Sequence, residues 1–298
     1  MNQDGPATDE APIAPQLNER QEEEAERHTS VSASVVHEAI RKDGDEELRR
    51  PVSALAWSGL AAGLSMGFSF VAQVLFLHYL PDAPWRPLLT NLGYPLGYLI
   101  VIIGRQQLFT ENTLTAIIPL LAERNLPTML AVLRLWTIVL IANLAGALLF
   151  AWVIAHGHIL RPEFQDAMKV LALKAADVTF ADALVRGIFA GWLIAMVVWM
   201  LAASDSGRIG IIVVLTYIVS LAGFTHVVAG SVEVLYLVTM GLKSWTSYLS
   251  GYMLPALIGN TIGGVALVSA LNHAQVIAGM DPAEQKPEST PKRQRLRA

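Results

Sequence analysis

Two short polar interruptions stand out in an otherwise apolar chain. The octapeptide LFTENTLT (108–115) brings hydroxyls, a carboxylate and an amide into a hydrophobic stretch, and GFTH (223–226) ends in His226. A neutral imidazole can donate a hydrogen bond without a permanent charge that would trap an anion. With an ordinary pKa of about 6.5, it could also protonate a weak acid, and a neutral acid crosses apolar constrictions more easily than its ion. We therefore interpret His226, with Thr110 bonding both the ring and the anion, as a candidate site for a small anion.

Each of these two residues also has a purely structural interpretation. The His226 ring could instead bond the buried ends of neighbouring helices, and Thr110 could simply cap a half-helix. The residue types alone leave both alternatives open.

Three ionisable residues lie near these interruptions, namely Arg105, Glu111 and Glu233. Charged side chains inside a membrane are costly and indicate function or pairing. Glu233 follows His226 by seven residues, which puts the two on nearly the same helix face. We predict that Arg105 pairs with Glu111 or Glu233, either as a structural salt bridge between half-helices or as part of an altered filter or gate.

The scaffold for these residues is predicted to be an all-α membrane protein. Of the 298 residues, 53% are hydrophobic and 15% are charged, whereas soluble proteins carry about 25% charged residues. A spanning helix needs about 20 mostly apolar residues. Six segments qualify: 53–77, 88–122, 129–155, 180–203, 209–240 and 252–271.

These segments divide the chain into a polar N-terminal tail with an interfacial helix (1–51), a six-span channel domain (52–275) and a C-terminal tail (276–298). Eleven Lys and Arg residues flank the spans on the side of the termini and five flank the other side. This bias predicts a multi-pass protein with both termini in the cytoplasm. Aromatic residues near span ends, including Tyr252, indicate interface anchors.

The two halves of the domain resemble each other. Three matches occur in the same order: GLAAG (59–63) with GIFAG (187–191), LFTE (108–111) with GFTH (223–226), and IANLAGALLFAWVIAHGH (141–158) with IGNTIGGVALVSALNHAQ (258–275). Three spans per half give repeats of opposite orientation, over about 52–158 and 180–275.

The second and fifth spans are predicted to be broken at matched positions of these repeats, a pattern typical of a binding or permeation site. Broken backbone at membrane depth must line a cavity or be buried in protein. The half-helices that follow the breaks should offer positive charge and free N–H groups. Asn143 and Asn260, paired by the third match, are expected to satisfy backbone groups freed at the breaks.

These motifs resemble those of the formate/nitrite transporter family. The matching stretches are LFT (108–110), GFTH (223–226), NLAGALLF (143–150) and GNTIGG (259–264). The resemblance implies an aquaporin-like six-helix protomer, a homopentamer in the inner (plasma) membrane, and one pore per protomer for a small monovalent anion such as formate, nitrite or hydrosulfide.

The resemblance also implies roles for individual residues. His226 takes the place of the family's central histidine and Thr110 that of its loop threonine. The neighbouring pore residues are Phe109, Glu111, Asn112, Phe224 and Thr225. Apolar constrictions are expected at Tyr98, Ile194 and Val219.

The chain departs from the family pattern around the same motifs. Gln106 and Gln107 replace a small and an acidic residue, and Glu111 replaces a small one. Thr225 stands in place of an acid, and Gly230 in place of an asparagine. We therefore place the chain in a divergent branch of the family.

Other classes of function find little support in the sequence. The chain has no phosphate-binding loop, no metal-ligand cluster, no convincing nucleophile–base pair and no cysteine. We expect neither enzymatic activity nor a cofactor or metal, and a net charge of −4 with tails of mixed sign suggests no nucleic-acid partner. The alternative to an anion channel is a non-conducting membrane sensor or scaffold of the same fold.

Overall fold

The computed structural model describes residues 31–204 and 206–279, and the regular secondary structure within these ranges is helical throughout. The predicted tails lie outside the described residues, except for 31–51 and 276–279. The α-helices are α1 (Ala33–Arg49), α2 (Val52–Tyr79), α3 (Arg86–Thr90), α4 (Pro95–Ile103), α5 (Phe109–Thr115), α6 (Ile117–Glu123), α7 (Leu126–His156), α8 (Gln165–Ala176), α9 (Phe180–Ala202), α10 (Arg208–Leu221), α11 (Ala229–Thr239), α12 (Trp245–Tyr248), α13 (Leu254–Ile262) and α14 (Leu271–Ala278).

Four helical stretches within the described residues are long and apolar enough to cross a membrane. They are α2, α7, α9 and the run Trp245–Val276, in which π-helical turns at Leu249–Met253 and Gly263–Ala270 join α12, α13 and α14. Each coincides with one of the six predicted spans. The other two predicted spans are divided into shorter helices, α4 to α6 and α10 to α11.

Helix α1 is packed against the bundle. The Ser32 hydroxyl caps its N-terminus by accepting a hydrogen bond from the Val35 N–H (3.4 Å). Val36 and Ile40 are buried, and Arg134 of α7 donates to the carbonyl of Leu48 (2.5 Å). The segment expected to hold an interfacial helix therefore contains a helix, which is docked on the bundle by both apolar and polar contacts.

Helices α1 and α8 lie at opposite ends of the bundle. Two residues separate α1 from α2, and the 28 residues of α2 extend over about 42 Å. At its far end, the Tyr79 hydroxyl accepts a hydrogen bond from Arg161, which lies shortly before α8. We refer to the two ends as the α1 end and the α8 end.

Two pairs of long helices pack with their backbones in close contact. Gly63 of α2 lies against the backbone of Asn143 in α7, and Gly191 of α9 lies against the backbone of Asn260 in α13. A Cβ at either glycine would collide with that backbone. Small residues are what allow membrane helices to approach each other so closely. The two contacts bring both asparagine side chains into the interior, where each is fully buried.

Candidate functional site

Helices α4 and α10 end in the same type of turn. Arg105 follows α4 with a left-handed backbone (φ 50°), and the Gln106 N–H donates to the Val101 carbonyl (2.9 Å). Gly223 follows α10 with φ 68°, and the next N–H, of Phe224, again donates to the carbonyl five residues earlier (2.9 Å). Both are left-handed helix C-caps of the Schellman type, which turn the chain away from the helix axis.

The Asn143 side chain closes the first break. Its Oδ1 accepts a hydrogen bond from the Phe109 N–H (2.9 Å), and its Nδ2 donates to the carbonyls of Gln107 and Gly59 (both 2.8 Å). One amide thus satisfies a donor and an acceptor of the non-helical segment and ties both to α2. Buried backbone groups need such partners because no water reaches them.

The Asn260 side chain closes the second break with the same three kinds of bond. Its Oδ1 accepts from the Val227 N–H (2.8 Å), and its Nδ2 donates to the carbonyls of Thr225 (2.9 Å) and Gly187 (2.8 Å). The bonds therefore equate Phe109 with Val227. This register differs by three residues from the match of LFTE with GFTH, so that part of the sequence alignment was wrong.

Thr110 and His226 meet where the two breaks approach each other. The distance between Thr110 Oγ1 and His226 Nε2 is 2.8 Å, and both side chains are buried. His226 Nδ1 accepts from the backbone N–H groups of Val228 (3.3 Å) and Ala229 (3.1 Å). Since an N–H can only donate, Nδ1 carries no hydrogen, and the ring is neutral with its hydrogen on Nε2. The Thr110 hydroxyl accepts that hydrogen, and its own O–H has no acceptor among residues 31–204 and 206–279, which leaves it free for a substrate.

The first N–H groups of α11 are already occupied. The Val227 N–H is bonded to Asn260, those of Val228 and Ala229 to the His226 ring, and that of Gly230 to the His226 carbonyl (3.0 Å). The expectation that this half-helix offers free N–H groups was therefore wrong. The imidazole of His226 and the amide of Asn260 occupy these N–H groups instead.

The three residues expected to form constrictions are fully buried. Tyr98 lies against His226 with its ring roughly perpendicular, at 5.3 Å between centroids. Ile194 and Val219 belong to the main apolar core. Of the three, Tyr98 is thus the one for which a contact with the central histidine is observed.

Two neighbours of Thr110 serve the scaffold of the first break. The Phe109 ring packs edge-on against Trp136 of α7, at 5.8 Å between centroids. The Asn112 side chain donates to Gln107 Oε1 (2.9 Å). Both predicted pore residues thus brace the turn, and Asn112 also lines a cavity described below.

The neighbours of His226 at the second break are placed similarly. The Thr225 hydroxyl donates to the Ala183 carbonyl of α9 (2.5 Å), and the Phe224 ring stacks on Phe189 at 5.3 Å. The Thr225 hydroxyl, unlike that of Thr110, is therefore engaged with the scaffold.

Two cavities flank this central contact, and among the described residues they share no lining residue. The α1-end cavity has a volume of about 400 Å³. Its lining includes Glu47, Arg105, Leu108, Glu111, Asn112 and Arg208. The α8-end cavity has a volume of about 260 Å³. Its lining includes Lys174, Arg186, Phe224, Thr225, His226 and Glu233.

The predicted ion pair of Arg105 is not among the salt bridges of the described residues, with either Glu111 or Glu233. Helices α5 and α11 lead from the breaks toward opposite ends of the bundle, so Glu111 lines the α1-end cavity and Glu233 the α8-end cavity. Arg105 is exposed at the C-cap of α4. Glu111 Oε1 is buried and has no hydrogen-bond partner.

Sequence reasoning missed one residue beside the central contact. Tyr252 was expected to be an interface anchor, but it is buried, and its hydroxyl donates to the His226 carbonyl (3.3 Å). It approaches Gly230, where a side chain would collide with the ring. The replacement of the family's asparagine by Gly230 was the available signal for a bulky neighbour there.

The chain matches known proteins over most of its length. The family model described as formate/nitrite transporter matches residues 34–274. The inner membrane protein YfdC of Escherichia coli K12 is 41% identical over 244 residues, which cover 82% of this chain and 79% of that protein. The formate channel BtFdhC of Bacillus thuringiensis is 25% identical, covering 78% and 91%.

Solved structures of similar fold include a pentameric formate channel with formate bound (TM-score 0.62, 18% identity) and an FNT family ion channel (TM-score 0.68, 17% identity). The first match covers 79% of this chain and the second 80%, and each covers 98% of the solved chain.

Proposed function

Because the chain belongs to the formate/nitrite transporter family, we propose that it is a channel or transporter for small monovalent anions such as formate or nitrite. The observation that carries this proposal is the buried contact between His226 Nε2 and Thr110 Oγ1. It lies at the junction of two broken helices and between two cavities. The free O–H of Thr110 supplies a neutral donor for an anion oxygen at that point.

Both cavities contain cationic side chains beside acidic ones. Arg105 and Arg208 line the α1-end cavity, and Lys174 and Arg186 line the α8-end cavity. Each of these cations offers a local partner for an anion, although the mixed lining gives neither cavity a net positive charge. Tyr98, Ile194 and Val219 then narrow the path at the centre, with the edge of the Tyr98 ring next to the histidine.

The architecture that we propose for this function has six spans in two inverted repeats. The first repeat (52–158) comprises α2, the broken span α4 to α6, and α7; the second (180–275) comprises α9, the broken span α10 to α11, and the last helical run. The matched turns and the equivalent hydrogen bonds of Asn143 and Asn260 support this division.

We further propose that the protein is a homopentamer in the inner membrane with both termini in the cytoplasm. The likeness to a pentameric channel supports the assembly, the relation to an inner membrane protein supports the location, and the Lys and Arg bias supports the orientation. Native mass spectrometry of the detergent-solubilised protein should show five copies, and a stable monomer or trimer would contradict the assembly.

Proteoliposomes loaded with formate, nitrite, chloride or hydrosulfide test the transport function directly. Thr110→Val should lose most of the flux because it removes the free O–H, and His226→Phe should do so because it removes the Nε2–H that leaves this O–H available. Two matched controls should keep the wild-type flux: His156→Phe, at an exposed helix end, and Thr216→Val, whose buried hydroxyl bonds its own helix.

The outcome of this assay also decides the alternative. Absence of flux for all four anions would favour the non-conducting sensor or scaffold. Wild-type flux in His226→Phe would show that the central contact is not the conducting element.

A further inference from the structure

Two carboxyl groups lie on opposite sides of the central contact, one in each cavity. Glu111 lies in the first turn of α5 in the α1-end cavity, and Glu233 lies on α11 in the α8-end cavity. Neither forms an ion pair or a side-chain hydrogen bond within the described residues, and Glu111 Oε1 is buried without any partner. Conventional anion binding gives these two acids no role, since a carboxylate repels an anion.

Both glutamates are half-buried, and a carboxyl group that is partly removed from water without a partner favours its neutral form. A carboxylate removed from water without a partner carries a large desolvation cost. A protonated carboxyl avoids that cost and provides an O–H that can be given to a substrate. Each glutamate also borders a cavity, through which it can exchange a proton with water.

The central histidine is poorly placed to supply a transferable proton. Its Nδ1 faces two backbone N–H donors, so a second proton there would require breaking both contacts. Its Nε2 hydrogen is held by Thr110. If a weak acid crosses the centre in neutral form, its proton must therefore come from other groups.

We propose that Glu111 and Glu233 exchange protons with a weak-acid anion, so that the neutral acid crosses the contact between Thr110 and His226. This inference rests on the proposed transport function and narrows its substrates to anions of weak acids. Formate, nitrite and hydrosulfide belong to this class, whereas chloride, the anion of a strong acid, does not.

The proton balance is the same in both directions. In the first cavity, the O–H bond of the glutamate breaks as an O–H or S–H bond forms on the anion, which leaves the glutamate as a carboxylate. In the second cavity, the other glutamate first gives its own proton to the water there, and its carboxylate then takes the proton of the neutral acid, which leaves as the anion. Each glutamate then re-equilibrates with the water of its own cavity, so one proton moves with each anion.

Other charged and titratable groups surround both glutamates and tune the exchange. Around Glu111, the α1-end cavity contains Asp43, Glu46, Glu47, Arg50, Arg105 and Arg208. Around Glu233, the α8-end cavity contains Tyr94, Lys174, Asp177, Arg186, His226 and Tyr252. Both sets mix the two signs, which allows each glutamate to be charged transiently after it has given up its proton.

The test measures formate uptake and internal pH in the same proteoliposomes. The wild type should carry one proton with each formate. Glu111→Gln and Glu233→Gln keep the shape and a hydrogen-bond donor but cannot exchange a proton, so the ratio of protons to formate should fall and formate uptake should drop about tenfold or more. Glu111→Asp should restore much of the coupling, and Glu163→Gln, at an exposed site outside both cavities, should match the wild type.

The outcomes separate this inference from the function on which it rests. Formate uptake with unchanged proton coupling in both glutamine variants would overturn the role of the glutamates and leave the anion pathway standing. Wild-type protein that takes up chloride as readily as formate would overturn the weak-acid substrate class alone. Wild-type protein that takes up no anion would overturn both.

Discussion

The two helix breaks have the same backbone arrangement but present different functional side chains. Each begins with a left-handed C-cap, is closed by an asparagine amide with three hydrogen bonds, and sits beside a glycine that lets two long helices meet. The first break then presents Thr110 with a free O–H, whereas the second presents His226 with both ring nitrogens engaged. The comparison shows that the supporting hydrogen bonds occur twice, while the central contact takes Thr110 from the first break and His226 from the second.

The largest effects should come from the two asparagines. Asn143→Leu and Asn260→Leu each remove three hydrogen bonds and take the asparagine partner from one N–H and one carbonyl of the break, at a cost of roughly 3 kcal/mol or more in the free energy of unfolding. Unfolding of the detergent-solubilised variants measures this. Asn143→Asp and Asn260→Asp keep the acceptor and provide the matched comparison. A large loss of stability at one asparagine and none at the other would show that the two sets of hydrogen bonds are not equivalent.

The next effects should come from the close helix contacts. Gly63→Ala and Gly191→Ala place a Cβ against the backbone of Asn143 or Asn260, and overpacking of this kind costs roughly 1–3 kcal/mol. Gly210→Ala is the matched control, because no atom lies near its would-be Cβ. The two variants should lower the unfolding temperature to a similar extent, and a harmless Gly191→Ala would show that the second contact is looser than the first.

Substitutions of Thr225 and Thr110 should separate effects on stability from effects on flux. Thr225→Val removes a hydroxyl bonded to the α9 backbone and should cost about 1 kcal/mol in stability with little change in flux. Thr110→Val should have the opposite profile, because the lost O–H is the one available to the anion. Parallel stability and liposome-flux measurements check the contrast. Equal profiles for the two variants would mean that the breaks are functionally alike.

The smallest effects should come from the C-caps. Gly223→Ala puts a Cβ on a left-handed residue, which costs roughly 1 kcal/mol. Arg105→Gly relieves the same strain at the first break and should be neutral or slightly stabilising, while Arg105→Ala retains the strain. Thermal unfolding compares the three. A strong loss in Arg105→Gly would instead reveal an interaction of the guanidinium that contributes to stability.

The long helices, the two breaks and the two asparagines could be predicted because each depends on a local sequence pattern. Long apolar segments gave the four long helices, the polar interruptions gave both breaks, and the repeat led to Asn143 and Asn260. The register of the breaks could not be obtained this way. The similar residues of LFTE and GFTH occupy different positions relative to the side-chain amides of Asn143 and Asn260. The true register depends on hydrogen bonds between segments distant in the chain.

The side-chain partners of the site were harder to predict for a related reason. Arg105, Glu111 and Glu233 all lie near the two breaks in the sequence, which suggested an ion pair. Helices α5 and α11 run in opposite directions, however, and place the two acids in different cavities. Tyr252 was misjudged because its position near the end of a predicted span says nothing about which neighbour covers it. Both errors concern tertiary placement and not the type of residue.

The occupied N–H groups at the start of α11 bear on how long an ion stays. The half-helix still exerts its positive potential on a nearby charge, but the imidazole and the amide already use the donors that would otherwise close around it. In the proposed pathway, an anion at this point would be attracted without being chelated, so we expect a short dwell time and a low occupancy. Such a pore favours throughput over capture, and its rate should climb in proportion to substrate concentration long before it saturates.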